Sequence, residues 1–175
     1  EVEKNINYLN HSIVNYLVKV GQMNLPVDDS RQIGALFHVV NDIERIGDHA
    51  ENVADAAKQR IESGIEFSLE ARNEMGRLLE MVNTIIRYAM EVFAGDQDME
   101  FKLKQGEELE DRIDVEERNI QDRHVERLAK NECTPEAGML FSDIISGLER
   151  VADHATNIAF AIRDSENEDL SVRQV

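Results

Sequence analysis

The 175-residue chain carries 36 acids against 19 bases, a formal net charge of −17, with 42% hydrophobic and only 5% aromatic residues. That charge excludes nucleic acid, whose binding depends on neutralising phosphates with Lys and Arg, and it argues against docking on anionic lipid headgroups. One cysteine, Cys133, rules out an internal disulfide and a cysteine-cluster metal site. No apolar run approaches the ~20 residues that span a bilayer.

The predicted elements are all helices, because no long stretch alternates apolar with polar residues. Ile6, Leu9, Ile13 and Leu17 recur at helical spacing and define a first helix over roughly residues 2–20. The stretch GQMNLPVDDS breaks the pattern, and a long second helix follows from about 30 to 63, with Gly64 placed to end it. Ser68 caps a third helix with an apolar stripe of Met75, Leu78, Leu79, Val82, Ile85, Ile86, Ala89 and Phe93, closed by Gly95 and Asp96. A fourth runs to about Lys130 on Leu109, Ile113, Ile120 and Leu128. Thr134, Pro135 and Glu136 start a fifth, as an N-cap, a proline at the first helical position and an acid on the positive dipole end. That helix is expected to end near Arg163, and residues 166–175 to form a disordered, polar tail.

The chain repeats itself. IERIGDHAENVA, from Ile43 to Ala54, returns as LERVADHATNIA, from Leu148 to Ala159, at an offset of 105 residues with seven of twelve identical. EKNINYLN, from Glu3, lies over EDRIDVEE, from Glu110, at an offset of 107. Helix four therefore pairs with helix one and helix five with helix two, while helix three has no upstream partner. The expected organisation is a first repeat over 1–64 with two helices and a second over 65–165 with three. The helix missing from the first copy would precede Glu1.

The repeated residues are mostly polar. Each helical residue turns ~100° and rises ~1.5 Å, so Glu44, Asp48 and Asn52 form a ladder with one group per turn. Arg45 and His49 form a second ladder beside it, and Val39, Ile43, Ile46, Ala50, Val53 and Ala54 fill the apolar arc. Glu149, Asp153 and Asn157 repeat the first ladder, and Arg150 with His154 the second. Carboxylates stacked one turn apart repel unless something positive sits between them. The arginines supply part of that charge and a cation supplies more, because Glu, Asp and Asn oxygens suit hard metal ions. The histidines suit iron or zinc, or orient a carboxylate from behind.

One E-x-x-x-D pair would mean little on a surface helix; two copies with the same five polar residues mean more. Helix four adds Glu110, Asp114 and Glu117 on neighbouring turns, aimed at Glu149 and Asp153 if helices four and five pack together. In the first copy the corresponding residues are Glu3, Asn7 and Asn10, with less charge. The second site is therefore expected to bind metal more tightly.

The doubled IERIGDHAENVA and LERVADHATNIA resemble the signature of PhoU-type domains. The resemblance implies tandem antiparallel three-helix bundles that each carry an E(D)-x-x-x-D motif, here Glu44–Asp48 and Glu149–Asp153, around multinuclear metal clusters. Iron is the metal it implies, with zinc, nickel or magnesium as other candidates. The opening EVEKNINYLNHSIVNYLVKV further resembles the region behind the membrane part of bacterial sodium/phosphate cotransporter-type proteins. That implies a membrane-associated regulatory domain for phosphate uptake, on the cytoplasmic side of the inner membrane. Its partner would be the transporter's membrane domain, in the same or an associated chain, with a homodimer as one candidate assembly. Asn7 and Asn10 depart from the acids expected there.

Three other readings compete. A histidine phosphotransfer module would use His49 or His154 as phosphoacceptor. A ferritin-like di-iron enzyme needs Glu-x-x-His, whereas Glu44 to His49 and Glu149 to His154 are each five apart. A purely structural scaffold would bind no metal. With no nucleophile elbow, glycine-rich phosphate loop or Ser/His/Asp arrangement, no enzymatic activity is expected.

Overall fold

The computed structural model describes residues 1–95 and 98–172, with the side chains of Ile162 and of residues 164–172 left out of the description. Its elements are α1 (Val2–Gly21), α2 (Val27–Glu62), α3 (Leu69–Phe93), α4 (Met99–Ala129) and α5 (Pro135–Val172), and no strand occurs among the described residues. The all-α architecture of five long helices is as the periodicity predicts.

Local chemistry explains most of the boundaries. Ser68 Oγ accepts the Ala71 amide at 3.1 Å and Thr134 Oγ1 accepts that of Ala137 at 3.2 Å, so both expected N-caps form. Gly64 takes φ +64°, and the Ile65 amide reaches back to the Arg60 carbonyl at 3.0 Å, closing α2 in the left-handed turn that glycine tolerates.

Two boundaries differ from the expected ones. α2 starts at Val27, because Pro26 fixes the backbone before it and Asp28 and Asp29 suit the positive end of a first turn. Ser30 Oγ donates to the Pro26 carbonyl at 3.1 Å instead of capping. α5 continues past Arg163 to Val172, so the expected tail is helical over residues 166–172. That stretch holds neither glycine nor proline, and nothing interrupts the hydrogen-bond ladder. Asp96 and residues 173–175 lie outside the described residues.

α5 is the axis of the molecule, packing against α2, α3 and α4, whereas α1 touches α2 alone among the described residues. The core gathers Leu78, Val82, Ile85 and Val92 of α3, Ile113 and Ile120 of α4, and Phe141, Ile144 and Ile145 of α5. The buried face of α3 is narrower than its apolar stripe. Leu79 and Phe93 stay exposed because α3 has neighbours only on the α4–α5 side.

The repeat has a structural counterpart. Asn10 Nδ2 donates to Asn41 Oδ1 at 3.4 Å, and Ser146 Oγ donates to Glu117 Oε1 at 3.3 Å. Asn10 pairs with Glu117 and Asn41 with Ser146 under the two sequence offsets, so the same helix–helix contact is made twice. In the first copy Ile6 Cδ1 lies 3.0 Å from where a Gly47 Cβ would stand, which explains the small residue at that position.

Candidate metal centre and the helix seam

The five acids of the second copy share one electric field. α4 brings Glu110, Asp114 and Glu117 alongside α5, which contributes Glu149 and Asp153. Glu117 Oε1 is fixed toward α5 by Gln121 Nε2 at 3.2 Å and Ser146 Oγ at 3.3 Å. The Glu149 carboxyl is pushed above its ordinary value by burial first, then by Asp114, Asp153 and Glu117, with Arg150 offsetting only part. Glu110 is raised in the same way by burial, Asp114, Asp111, Asp153 and Glu149. Two carboxyls on different helices thus resist ionisation through the same neighbours.

The arginines do less than their spacing predicts. Arg45 and Arg150 are exposed and form no ion pair among the described residues. No three His, Cys, Asp or Glu side chains among the described residues stand close enough to hold one ion as they are. The donor chemistry nonetheless fits a hard cation: carboxylate oxygens from two helices and an excess of negative charge that Arg150 offsets only in part.

The first copy is arranged differently. Asn7 Nδ2 donates to Glu3 Oε1, and Asn10 Nδ2 donates to the Val40 carbonyl at 3.2 Å as well as to Asn41. Both amides that replace acids are thus engaged within the protein. Glu44 and Asp48 are half-buried, while Asn52 and its counterpart Asn157 are exposed. Asn52 lines a cavity of about 410 Å³ between α2 and α5 with His49, Gly147 and Arg150. No hydrogen bond joins Asn52 or Asn157 to the acidic ladders among the described residues.

The histidines lie on the α2–α5 seam. His49 and His154 stack with ring centroids 5.5 Å apart and planes at 11°. Each is the other's repeat mate, so the local two-fold relation passes between them. The symmetry breaks one turn away. His154 Nδ1 lies 3.0 Å from Asp42 Oδ1, but the residue corresponding to Asp42 in the second copy is Gly147. A Cβ on Gly147 would stand 2.7 Å from Val53 Cγ2, so a side chain there would force Val53 to shift. His49 has no carboxylate in the matching place, and burial, then His154 and Arg150, hold its pKa down. His154 is 9% exposed. Asp42 engages His154 Nδ1 and the ring is stacked, which leaves the half-buried His49 as the more open imidazole of the pair.

A second polar cluster escaped the sequence reading. Glu74 of α3 is 4% exposed and accepts from Arg123 Nε at 2.6 Å and Arg127 Nη2 at 2.9 Å, both on α4. Arg123 also donates to Glu116 at 3.0 Å. The two adjacent acids of α4 therefore part company: Glu116 turns to this α3–α4 network and Glu117 to α5. Glu74 stands within an apolar stripe, and only the cationic Arg123 and Arg127 at helical spacing hinted at its partner.

Comparison with known proteins agrees with this architecture. The family model described as the PhoU domain matches residues 1–57 and 75–162. The chain is 30% identical over 141 residues to phosphate-specific transport system accessory protein PhoU homolog 1 of Thermotoga maritima, covering 79% of this chain and 58% of the relative. It is 28% identical over 161 residues to the PhoU homologs of Pseudomonas putida and Pseudomonas aeruginosa, covering 91% of this chain and 61% and 64% of theirs. The chain thus spans about three fifths of the curated relatives it matches. No solved structure matches it. With both copies of the repeat inside the matched residues, the chain belongs to the PhoU domain family.

Proposed function

We propose that this chain is a metal-binding regulatory domain that controls phosphate uptake, attached to or acting on a sodium/phosphate transporter. The family and the accessory-protein relatives support the phosphate-transport reading. The observation that carries the metal reading is the mutual repulsion of Glu110 and Glu149 with Asp114 and Asp153 across the α4–α5 contact.

Glu110, Asp114, Glu117, Glu149 and Asp153 would hold the ions, with Asn157 at the outer end of the ladder. Glu3, Glu44, Asp48 and Asn52 form the weaker counterpart. When bound there, iron or another divalent ion would supply the positive charge that these carboxylates lack. The chain's own contribution is to hold the carboxylates in place: Ser146 and Gln121 fix Glu117, and the His49–His154 pair fixes the seam behind Asp48 and Asp153. Asp42 meets His154 across the same seam and holds that ring in place. The domain acts by binding rather than by catalysis, on the cytoplasmic face of the inner membrane.

Elemental analysis of protein purified without chelator tests this directly. Stoichiometric metal that is lost together with thermal stability on chelation is the expected result. Metal-free protein whose melting temperature ignores both chelator and added iron overturns it.

A further inference from the structure

The acid excess of the chain is not spread evenly. Arginines gather where α3 meets α4: Arg77 on α3, and Arg112, Arg123 and Arg127 on α4. The carboxylates within this cluster are already engaged. Glu74 accepts from Arg123 at 2.6 Å and from Arg127 at 2.9 Å. Glu116 accepts from Arg123 at 3.0 Å and stands 3.7 Å from Arg77 Nη2. Arg77 therefore only shares an acid that another arginine holds more closely. Arg112 makes no ion pair or hydrogen bond among the described residues. Both are exposed, and both wall the same groove.

Helical spacing builds that groove. Arg77, Thr84 and Tyr88 fall at i, i+7 and i+11 on α3, and Gln105, Leu109 and Arg112 at i, i+4 and i+7 on α4, so each helix lends one stripe. A cavity of about 410 Å³ opens between the stripes, over the buried Leu109. A second of about 480 Å³ adjoins it and shares Arg77, Met81 and Arg112. Tyr88 and Gln105 add neutral donors, whereas Thr84 Oγ1 already donates to the Glu80 carbonyl at 2.9 Å. On α4, Arg112 and Asp114 lie about 100° to either side of the fully buried Ile113, so this groove and the acidic face toward α5 are separate surfaces.

We propose that the α3–α4 groove binds a phosphate group, held by Arg77 and Arg112. A guanidinium presents paired N–H donors that match two oxygens of a tetrahedral oxyanion. Two of them on separate helices suit a dianion better than a carboxylate, whose single charge one arginine would balance. Glu80 and Asp111 stand at the rim as exposed acids and keep the affinity low. The two cavities have room for a free phosphate ion or for the body of a phosphate ester. None of these residues belongs to the proposed metal ligands, and the inference does not depend on metal binding.

An NMR titration of isotope-labelled residues 1–175, stripped of metal and freed of chelator, tests it at neutral pH and constant ionic strength. Inorganic phosphate should give saturable shifts confined to the facing stripes of α3 and α4, with Arg77 and Arg112 side chains among them, and chloride should give none. Arg112→Gln should weaken phosphate about tenfold, the loss of one charged hydrogen-bonding partner. Glu80→Gln should strengthen it by removing a rim acid. Both positions are exposed, so an unchanged melting temperature separates lost binding from lost folding. Phenyl phosphate distinguishes the sources: tighter binding than inorganic phosphate, with new shifts at Met81 and Val115, identifies an ester, and equal binding identifies the free ion. Shifts that fail to saturate, that chloride reproduces, or that persist undiminished in Arg112→Gln overturn the proposal.

Discussion

His154 of α5 faces Asp42 of α2 at 3.0 Å while its repeat mate, His49, faces Gly147 and receives no carboxylate. The two imidazoles stack at the centre of the helix seam, so a sequence-symmetric pair has acquired asymmetric electrostatics. Asp42→Ala removes a half-buried acceptor and should lower stability by about 1–3 kcal/mol. Thermal or urea unfolding checks this, and an unchanged midpoint would show that the contact contributes nothing.

Gly147 is held by packing, not by its backbone torsion. Gly147→Ala places a methyl group 2.7 Å from Val53 Cγ2 and should cost about 1–3 kcal/mol through overpacking. The loss should shrink when Val53→Ala is added, because the clash is with that side chain alone. A double-mutant cycle measures the coupling; additive losses would place the clash elsewhere.

Glu74 sets an acid limit on stability. Burial pushes its carboxyl upward, but the hydrogen bonds from Arg127 and Arg123 outweigh burial and hold it below 4.5. A carboxyl whose folded pKa is depressed stabilises the fold above its unfolded pKa and loses that contribution as pH falls through the folded value. Stability should therefore fall as the parent is acidified below the ordinary glutamate range. Glu74→Gln should be destabilised by about 3–5 kcal/mol at pH 7, because it leaves Arg127 buried without a counter-charge. The gap between the two proteins should narrow as pH falls; a gap independent of pH would remove Glu74 from the account.

Charge removal at the proposed centre should have opposite signs with and without metal. In chelated protein Glu149→Gln relieves repulsion with Asp114 and Asp153 and should raise stability by a few tenths to about 1 kcal/mol. The same substitution should weaken metal uptake. Asp153→Ala should lose more bound metal than Asp48→Ala, because Asn7 and Asn10 leave the first copy short of charge. Equal losses in elemental analysis would end the asymmetry.

Much of this molecule can be read along the chain. Ser68 and Thr134 cap where they stand, Gly64 ends α2, and the doubled motif identifies the family, since each depends on a few neighbouring residues and the regular geometry of a helix. The breadth of a buried face does not. Leu79 and Phe93 have the same spacing as Leu78 and Val92, and only the positions of α4 and α5 decide which of them meet a neighbour. Glu116 and Glu117 are adjacent acids that point to different helices, and Glu74 is buried against arginines 49 and 53 positions away.

The sequence by itself determined the helices, their repeat and the columns of like charge, because periodicity and identity are local properties. The tertiary structure alone decided that the two histidines stack, that Asp42 serves one of them, and that Ile13 and Ile43 of the first copy stay exposed. Those outcomes depend on how closely two helices approach, and that distance is set by the whole packed assembly, not by any single stretch of chain.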